Sequence, residues 1–172
     1  MTDDLAIQLE KSDRLSVIAE RIGFALWQLQ ELERISAYYL VLKTKATLGM
    51  GAKAGQELID KAVSRTFGMT LREISGANLF DQKLQVRFSA LLSERNWLVH
   101  KSRADSRSAI HGDDPAIILI DRVNSIADES LALMHEVMLL AGAFSQEYGV
   151  SEELANEQAE ATIRGWHDPN AD

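Results

Sequence analysis

The residues best suited to chemistry stand in one short string, Glu94-Arg95-Asn96-Trp97-Leu98-Val99-His100-Lys101. On a helix turning about 100° per residue, with Leu84 as zero, Leu91 falls near −20°, Phe88 near +40°, Leu98 near −40° and Val99 near +60°. Arg95 falls near +20°, inside that apolar stripe. A guanidinium does not shed its proton, so a sheltered one requires an acidic partner, a second subunit or an anionic ligand. Asn96 and His100, four residues apart, share one flank of the helix. Lys101 and Arg103 add positive charge at the same end and are the candidate RNA-binding residues. A cation, an amide and an imidazole gathered in this way suit cleavage of an RNA phosphodiester. An imidazole can take the proton from the 2′-hydroxyl or return one to the 5′-oxygen near neutral pH. A guanidinium offsets the negative charge that builds at phosphorus, and an amide orients a phosphate oxygen or the imidazole itself. Chemistry of this kind calls for no metal and no cofactor. A 2′-hydroxyl nucleophile restricts it to RNA and leaves a 2′,3′-cyclic phosphate.

Arg95 also has a plainer reading. Glu33 projects about in line with Leu15, inside the apolar stripe that holds Ile22 and Leu26. An Arg95–Glu33 pair would set the register between two helices, either with no catalysis at all or as a clamp behind the catalytic groups. His100 would then be a surface residue near a helix C-terminus, where its cation is favoured. The other histidines, His111, His135 and His167, show no metal-ligand spacing. The run Gly49-Met50-Gly51-Ala52-Lys53-Ala54-Gly55 is rich in glycine, but it follows a helix and lacks the Walker spacing, so a helix break explains it. The chain has no cysteine, hence no disulfide framework and no thiolate chemistry.

These groups must be held by helices. Only Pro115 and Pro169 interrupt the 172 residues. From Asp13 to Leu48 the positions Leu15, Ala19, Ile22, Leu26, Leu29, Ser36, Ala37 and Leu40 follow the helical period, all apolar except Ser36. Gly49-Met50-Gly51 ends that helix; residues 1–12 extend it or form a short helix of their own. Gln56 to Phe67 reads as a second helix. Thr70-Leu71-Arg72-Glu73 has the form of a capping box and opens a short one. Asp81 caps a helix running to about Arg103, and Ala104 to Asp113 reads as a polar loop. Asp114 followed by Pro115 opens a helix to about Tyr148, ended by Gly149, with the stripe Leu119, Val123, Ala127, Met134, Val137, Ala141 and Phe144. Ala116 to Ile120 would suit a strand by composition, but no partner strand is visible. A weaker acidic helix follows over about 151–166. The predicted fold is all-α: an antiparallel bundle of four main helices with short additional ones, in a single domain over 1–172 with its core at about 13–148.

Hydrophobic residues make up 46% of the chain and charged residues 26%, a globular mix that argues against a fibre, a repeat array or a disordered tail. No run approaches ~18 uncharged apolar residues, so no membrane span is expected. The acidic start, Met1-Thr2-Asp3-Asp4, is unlike a secretory signal, and the expectation is a cytoplasmic protein. The net charge of −8 is unevenly spread. Residues 34–107 carry 13 basic and 6 acidic side chains, a net +7, whereas residues 121–172 carry 2 and 11, a net −9. The middle can therefore present a positive surface on an acidic chain.

The string Arg95-Asn96-Trp97-Leu98-Val99-His100 resembles the R-x4–6-H signature of the HEPN domains, in the R-N-x-x-x-H form of stand-alone bacterial members. The likeness in helical order spans roughly residues 13–148; the specific residues match only here. The resemblance implies a dimeric helical bundle in which the motifs of two subunits form one composite site. It also implies a metal-independent endoribonuclease of a toxin–antitoxin, abortive-infection or CRISPR-associated kind. Arg95 and His100 would be its catalytic pair and Asn96 the polar helper, with RNA as substrate and an antitoxin or defence-complex protein as possible partner. Ser102 stands where one subgroup carries a nucleotide-modified tyrosine, so that partnership is not implied. Some HEPN domains are silent binding modules, which leaves an inactive interaction or sensor module as the alternative. A third reading is an unrelated helical adaptor with Arg95–Glu33 as a core pair.

Overall fold

The structure, a computed structural model, describes residues 2–47 and 49–149. Among these residues 86% are helical and none is in a strand. The helices are α1 (Thr2–Thr44), α2 (Ala52–Val63), α3 (Phe67–Gly76), α4 (Gln82–His100), α5 (Ser102–Ala109) and α6 (Asp113–Glu147). The all-α expectation therefore holds. Three of the helices are long, with 43, 19 and 35 residues, and three are short, with 8 to 12. No helix of the described residues is long and apolar enough to cross a membrane. The chain divides into two compact units, Met1–Val137 and Met138–Asp172. In the second unit α6 ends at Glu147, and Gly149 takes a φ of +81°. The helix expected over 151–166, and His167, lie outside the described residues.

The core of the first unit is built from α1, α3, α4 and α6. Ile18, Ala25, Leu29, Leu32, Ala37 and Leu40 of α1 are buried, as are Leu84, Phe88, Leu91 and Leu98 of α4 and Leu119, Val123, Ala127, Leu133 and Val137 of α6. An aromatic ladder ties the elements together. Tyr39 stacks on Phe80 at 5.7 Å, Phe80 on Phe88 at 4.8 Å, and Phe88 meets Phe67 edge-on at 6.2 Å. Burial pushes the Tyr39 phenol above its usual range. Directions follow from the cross-contacts. Glu33 meets Arg95 and Tyr39 meets Phe80, so α1 and α4 run antiparallel. Arg87 meets Glu129 and Glu94 meets Arg122, so α4 and α6 do too.

Several boundaries differ from the sequence reading, each for a local reason. Residues 2–12 continue α1, and Leu15 and Ala19 turn out exposed while Ile18 and Ala25 face inward. That helix carries apolar residues on more than one side, Val17, Phe24 and Trp27 being exposed, so its periodicity does not choose the buried face. Helix α3 opens at Thr66, whose hydroxyl accepts from Met69 N–H; Thr70 is buried one turn inside and bonds back to the Thr66 carbonyl. It closes on Asn78, left-handed at φ +53°, with Leu79 N–H bonded to the Ile74 carbonyl and Asn78 N–H to that of Ser75. This is the paired closure that a residue tolerant of positive φ allows. Asp81 caps α4 as expected, accepting from Leu84 N–H at 2.7 Å.

Helix α4 stops at His100 and not near Arg103, because Lys101 adopts φ −123° and ψ −22°. The expected polar loop over 104–113 is largely the helix α5. Its buried stripe consists of Ser102, Ser106 and Ala109, small residues in which hydropathy shows no pattern. The buried serines Ser102 and Ser106 donate to carbonyls one turn back, as does Ser130 of α6. Pro115 lies in the first turn of α6, where no intrahelical N–H is needed, and residues 116–120 are helical, not extended. Among the described residues, Ser36 carries the one buried side-chain oxygen or nitrogen without a hydrogen-bond partner.

Candidate functional site

Arg95, Asn96 and His100 line one open groove of about 520 Å³ in the first unit. Leu92, also on α4, and Glu33 of α1 line it as well. The facing wall is the corner between α2 and α3, from Ser64 to Gly68. Helical phase explains the α4 contribution. Arg95, Leu92, Asn96 and His100 fall at about +20°, +80°, +120° and +160°, beside the buried stripe of Leu84, Phe88, Leu91 and Leu98. The aromatic ladder fixes the opposite wall, since Phe67, the first residue of α3, both packs on Phe88 and lines the groove. A β-carbon at Gly68 would make only ordinary contact with Leu92 Cδ2, at 3.6 Å, so the wall does not depend on glycine there.

Arg95 Nε donates to Glu33 Oε1 at 2.9 Å, and the two side chains are 27% and 24% exposed. The pair thus sits at the groove edge and is not sealed inside the core. It engages one corner of the guanidinium and leaves both Nη groups without a hydrogen bond to any described residue. A carboxylate held in this way orients the guanidinium while its remaining donors stay available to an anion. Asn96 and His100 are both exposed, and His100 is the last residue of α4, about 6 Å further along the axis.

Lys101 and Arg103, the candidate RNA contacts, are exposed just beyond the helix end but do not line the groove. In their place stands a residue that the sequence reading missed. Arg65, between α2 and α3, lines the groove and pairs through Nη1 with Glu73. Nothing local marks it, because the corner that carries it lies 30 residues before Arg95 and is brought there by the packing of Phe67. Trp97 and Glu94 point to the other side of α4. Arg122 of α6 forks both oxygens of Glu94, at 2.8 and 3.1 Å, and lies 3.5 Å over the Trp97 ring. Trp97 Nε1 donates to Asp105 of α5 at 2.9 Å. Two turns before Glu94, Arg87 donates from Nε and Nη2 to Glu129 and from Nη1 to Glu136, which holds its own protonation above the usual arginine range. The short motif therefore serves two sides of one helix. Comparison with protein-family models, with characterised proteins and with solved structures returned no match.

Proposed function

We propose that the chain is an endoribonuclease of HEPN type, acting as a homodimer in which two copies of the motif build one composite site. The observation that carries this reading is that Arg95, Asn96 and His100 line the same open groove, with both Nη groups of Arg95 unclaimed by any described residue. In this reaction an imidazole removes the 2′-hydroxyl proton, the freed oxygen attacks phosphorus, and the bond to the 5′-oxygen breaks. That oxygen then takes up a proton, and the products are a 2′,3′-cyclic phosphate and a 5′-hydroxyl. Arg95 offsets charge at phosphorus, Asn96 orients a phosphate oxygen or the ring, and Glu33 positions Arg95. Each groove holds one histidine, whereas the reaction moves two protons. Two protomers would supply an acid and a base, and a two-fold axis would bring them together. A toxin or phage-defence role, a cytoplasmic setting and an antitoxin or defence-complex partner belong to the same proposal.

A second reading has one observation in its favour: the Arg95–Glu33 pair gives Arg95 an acidic partner within one chain. In that reading the protein is a catalytically silent interaction or sensor module. The test is incubation of the purified protein with single-stranded RNA in EDTA. Cleavage to cyclic-phosphate ends that is abolished by His100→Ala, with an unchanged circular dichroism spectrum, supports the nuclease. RNA left whole by a wild-type dimer assigns the chain to the silent module.

A further inference from the structure

We infer that Arg65 is the substrate-binding arginine of the groove, taking a backbone phosphate of the RNA strand on the wall opposite the Arg95–His100 helix. The inference rests on the ribonuclease reading for the identity of the polyanion, and on three observations of its own. Arg65 lines the same groove as Arg95, Asn96 and His100, but from the corner between α2 and α3, so a strand lying in the groove would pass between the two walls. Its side chain is 25% exposed, and its one hydrogen bond, from Nη1 to Glu73, leaves Nε and Nη2 unpartnered among the described residues. The third observation is charge. Glu33 lines the groove and is paired with Arg95, whereas Glu73, the partner of Arg65, does not line it. Among the described residues, Arg65 is therefore the arginine of the groove lining whose acidic partner stands outside that lining.

A guanidinium tied at one corner to an acid outside the groove is pre-oriented, with its remaining donors matching the geometry of a phosphate. It touches neither the 2′-hydroxyl nor the leaving oxygen in this proposal, so its contribution is to binding. Loss of one charge-assisted phosphate contact should weaken binding about tenfold. On single-stranded RNA it should also lower the dependence of log Kd on log salt by about 0.7.

The experiment measures binding of a fluorescein-labelled single-stranded RNA to full-length His100→Ala protein in EDTA, by anisotropy, across a salt series. Adding Arg65→Gln should weaken binding about tenfold and flatten the salt dependence. Arg65→Lys, which keeps the cation without the fork, should restore most of the slope and serves should the glutamine variant fail to fold. Glu73→Gln is the discriminating control. It breaks the same ion pair but retains the guanidinium, so binding should hold or tighten. Equal weakening by Arg65→Gln and Glu73→Gln would mean that the pair merely braces the corner, and would overturn the inference. Unchanged affinity and slope in Arg65→Gln, or no RNA binding by the parent protein, would overturn it as well. Failure of the nuclease reading looks different: wild-type protein leaves RNA uncut while the Arg65 effect on binding persists.

Discussion

The two sides of α4 offer a direct comparison. Each borders a groove of similar size, about 520 Å³ toward the α2–α3 corner and about 460 Å³ toward α6, and each is lined by arginine and glutamate. On the α6 side the charges are spoken for. All three nitrogens of Arg87 donate to carboxylates, and Arg122 grips both oxygens of Glu94 while covering the Trp97 ring. On the other side Arg95 and Arg65 each use one nitrogen toward the described residues. Identical residue types thus fasten helices together in one place and leave binding capacity in the other. The difference is visible in the count of unused donors, not in composition.

The largest effects should come from exchanging the two sides' expected phenotypes. His100→Ala should lower RNA cleavage by 10² or more, on the order of a general acid–base group's contribution, with an unchanged melting temperature. Trp97→Ala, three residues earlier, should do the reverse. It removes the ring under Arg122 and strands Asp105, so stability should fall by about 2 kcal/mol, or roughly 4–8 °C in Tm, while cleavage per folded molecule persists. If Trp97→Ala silences a stable protein instead, the two sides are not separate.

Glu33→Gln sharpens the same contrast. It keeps the shape of the Arg95 partner but removes its charge, so Arg95 loses its orientation. The expected result is a roughly tenfold fall in kcat with KM unchanged or lower, because the groove becomes more positive. A drop in Tm with normal kcat would assign the pair to register alone. Arg122→Ala should cost about 1 kcal/mol by thermal melt, since the ion pair is some 40% exposed on both sides and its net worth is modest. The smallest effect belongs to Ser36→Ala. Its hydroxyl is fully buried and unpaired among the described residues, so its loss should leave stability unchanged or raise it by less than about 1 kcal/mol in denaturant titration.

Much of this was legible in the sequence where a period or a cap had one meaning. The phase of Arg95 beside Leu84, Phe88 and Leu91, the cap at Asp81 and the common flank of Asn96 and His100 follow from 3.6-residue geometry, which packing did not override. Elsewhere the pattern was ambiguous. With Val17, Phe24 and Trp27 apolar as well, α1 offers two candidate faces, and only assembly selects the one bearing Ile18 and Ala25. Helix α5 hides because its inward residues are serine and alanine. The capping-box pattern at Thr70 misleads because that residue is buried inside α3, and the cap is Thr66 one turn earlier. Arg65 could not be found at all from local signals, since its place in the groove depends on contacts between Phe67 and Phe88 that lie 21 residues apart.

The interleaving of α4 has a consequence for how this protein can change over generations. Glu94, Arg95, Asn96 and Trp97 are consecutive yet serve opposite grooves. Adding or losing one residue between Asp81 and the motif would rotate everything beyond by about 100°. An added residue would bring Glu94 to the angle that Arg95 now holds, toward the α2–α3 corner, and a lost one would carry the arginine into the α6 clasp. Substitutions in this helix can be absorbed one at a time, but its length is frozen, and insertions should accumulate only in the connections that flank it.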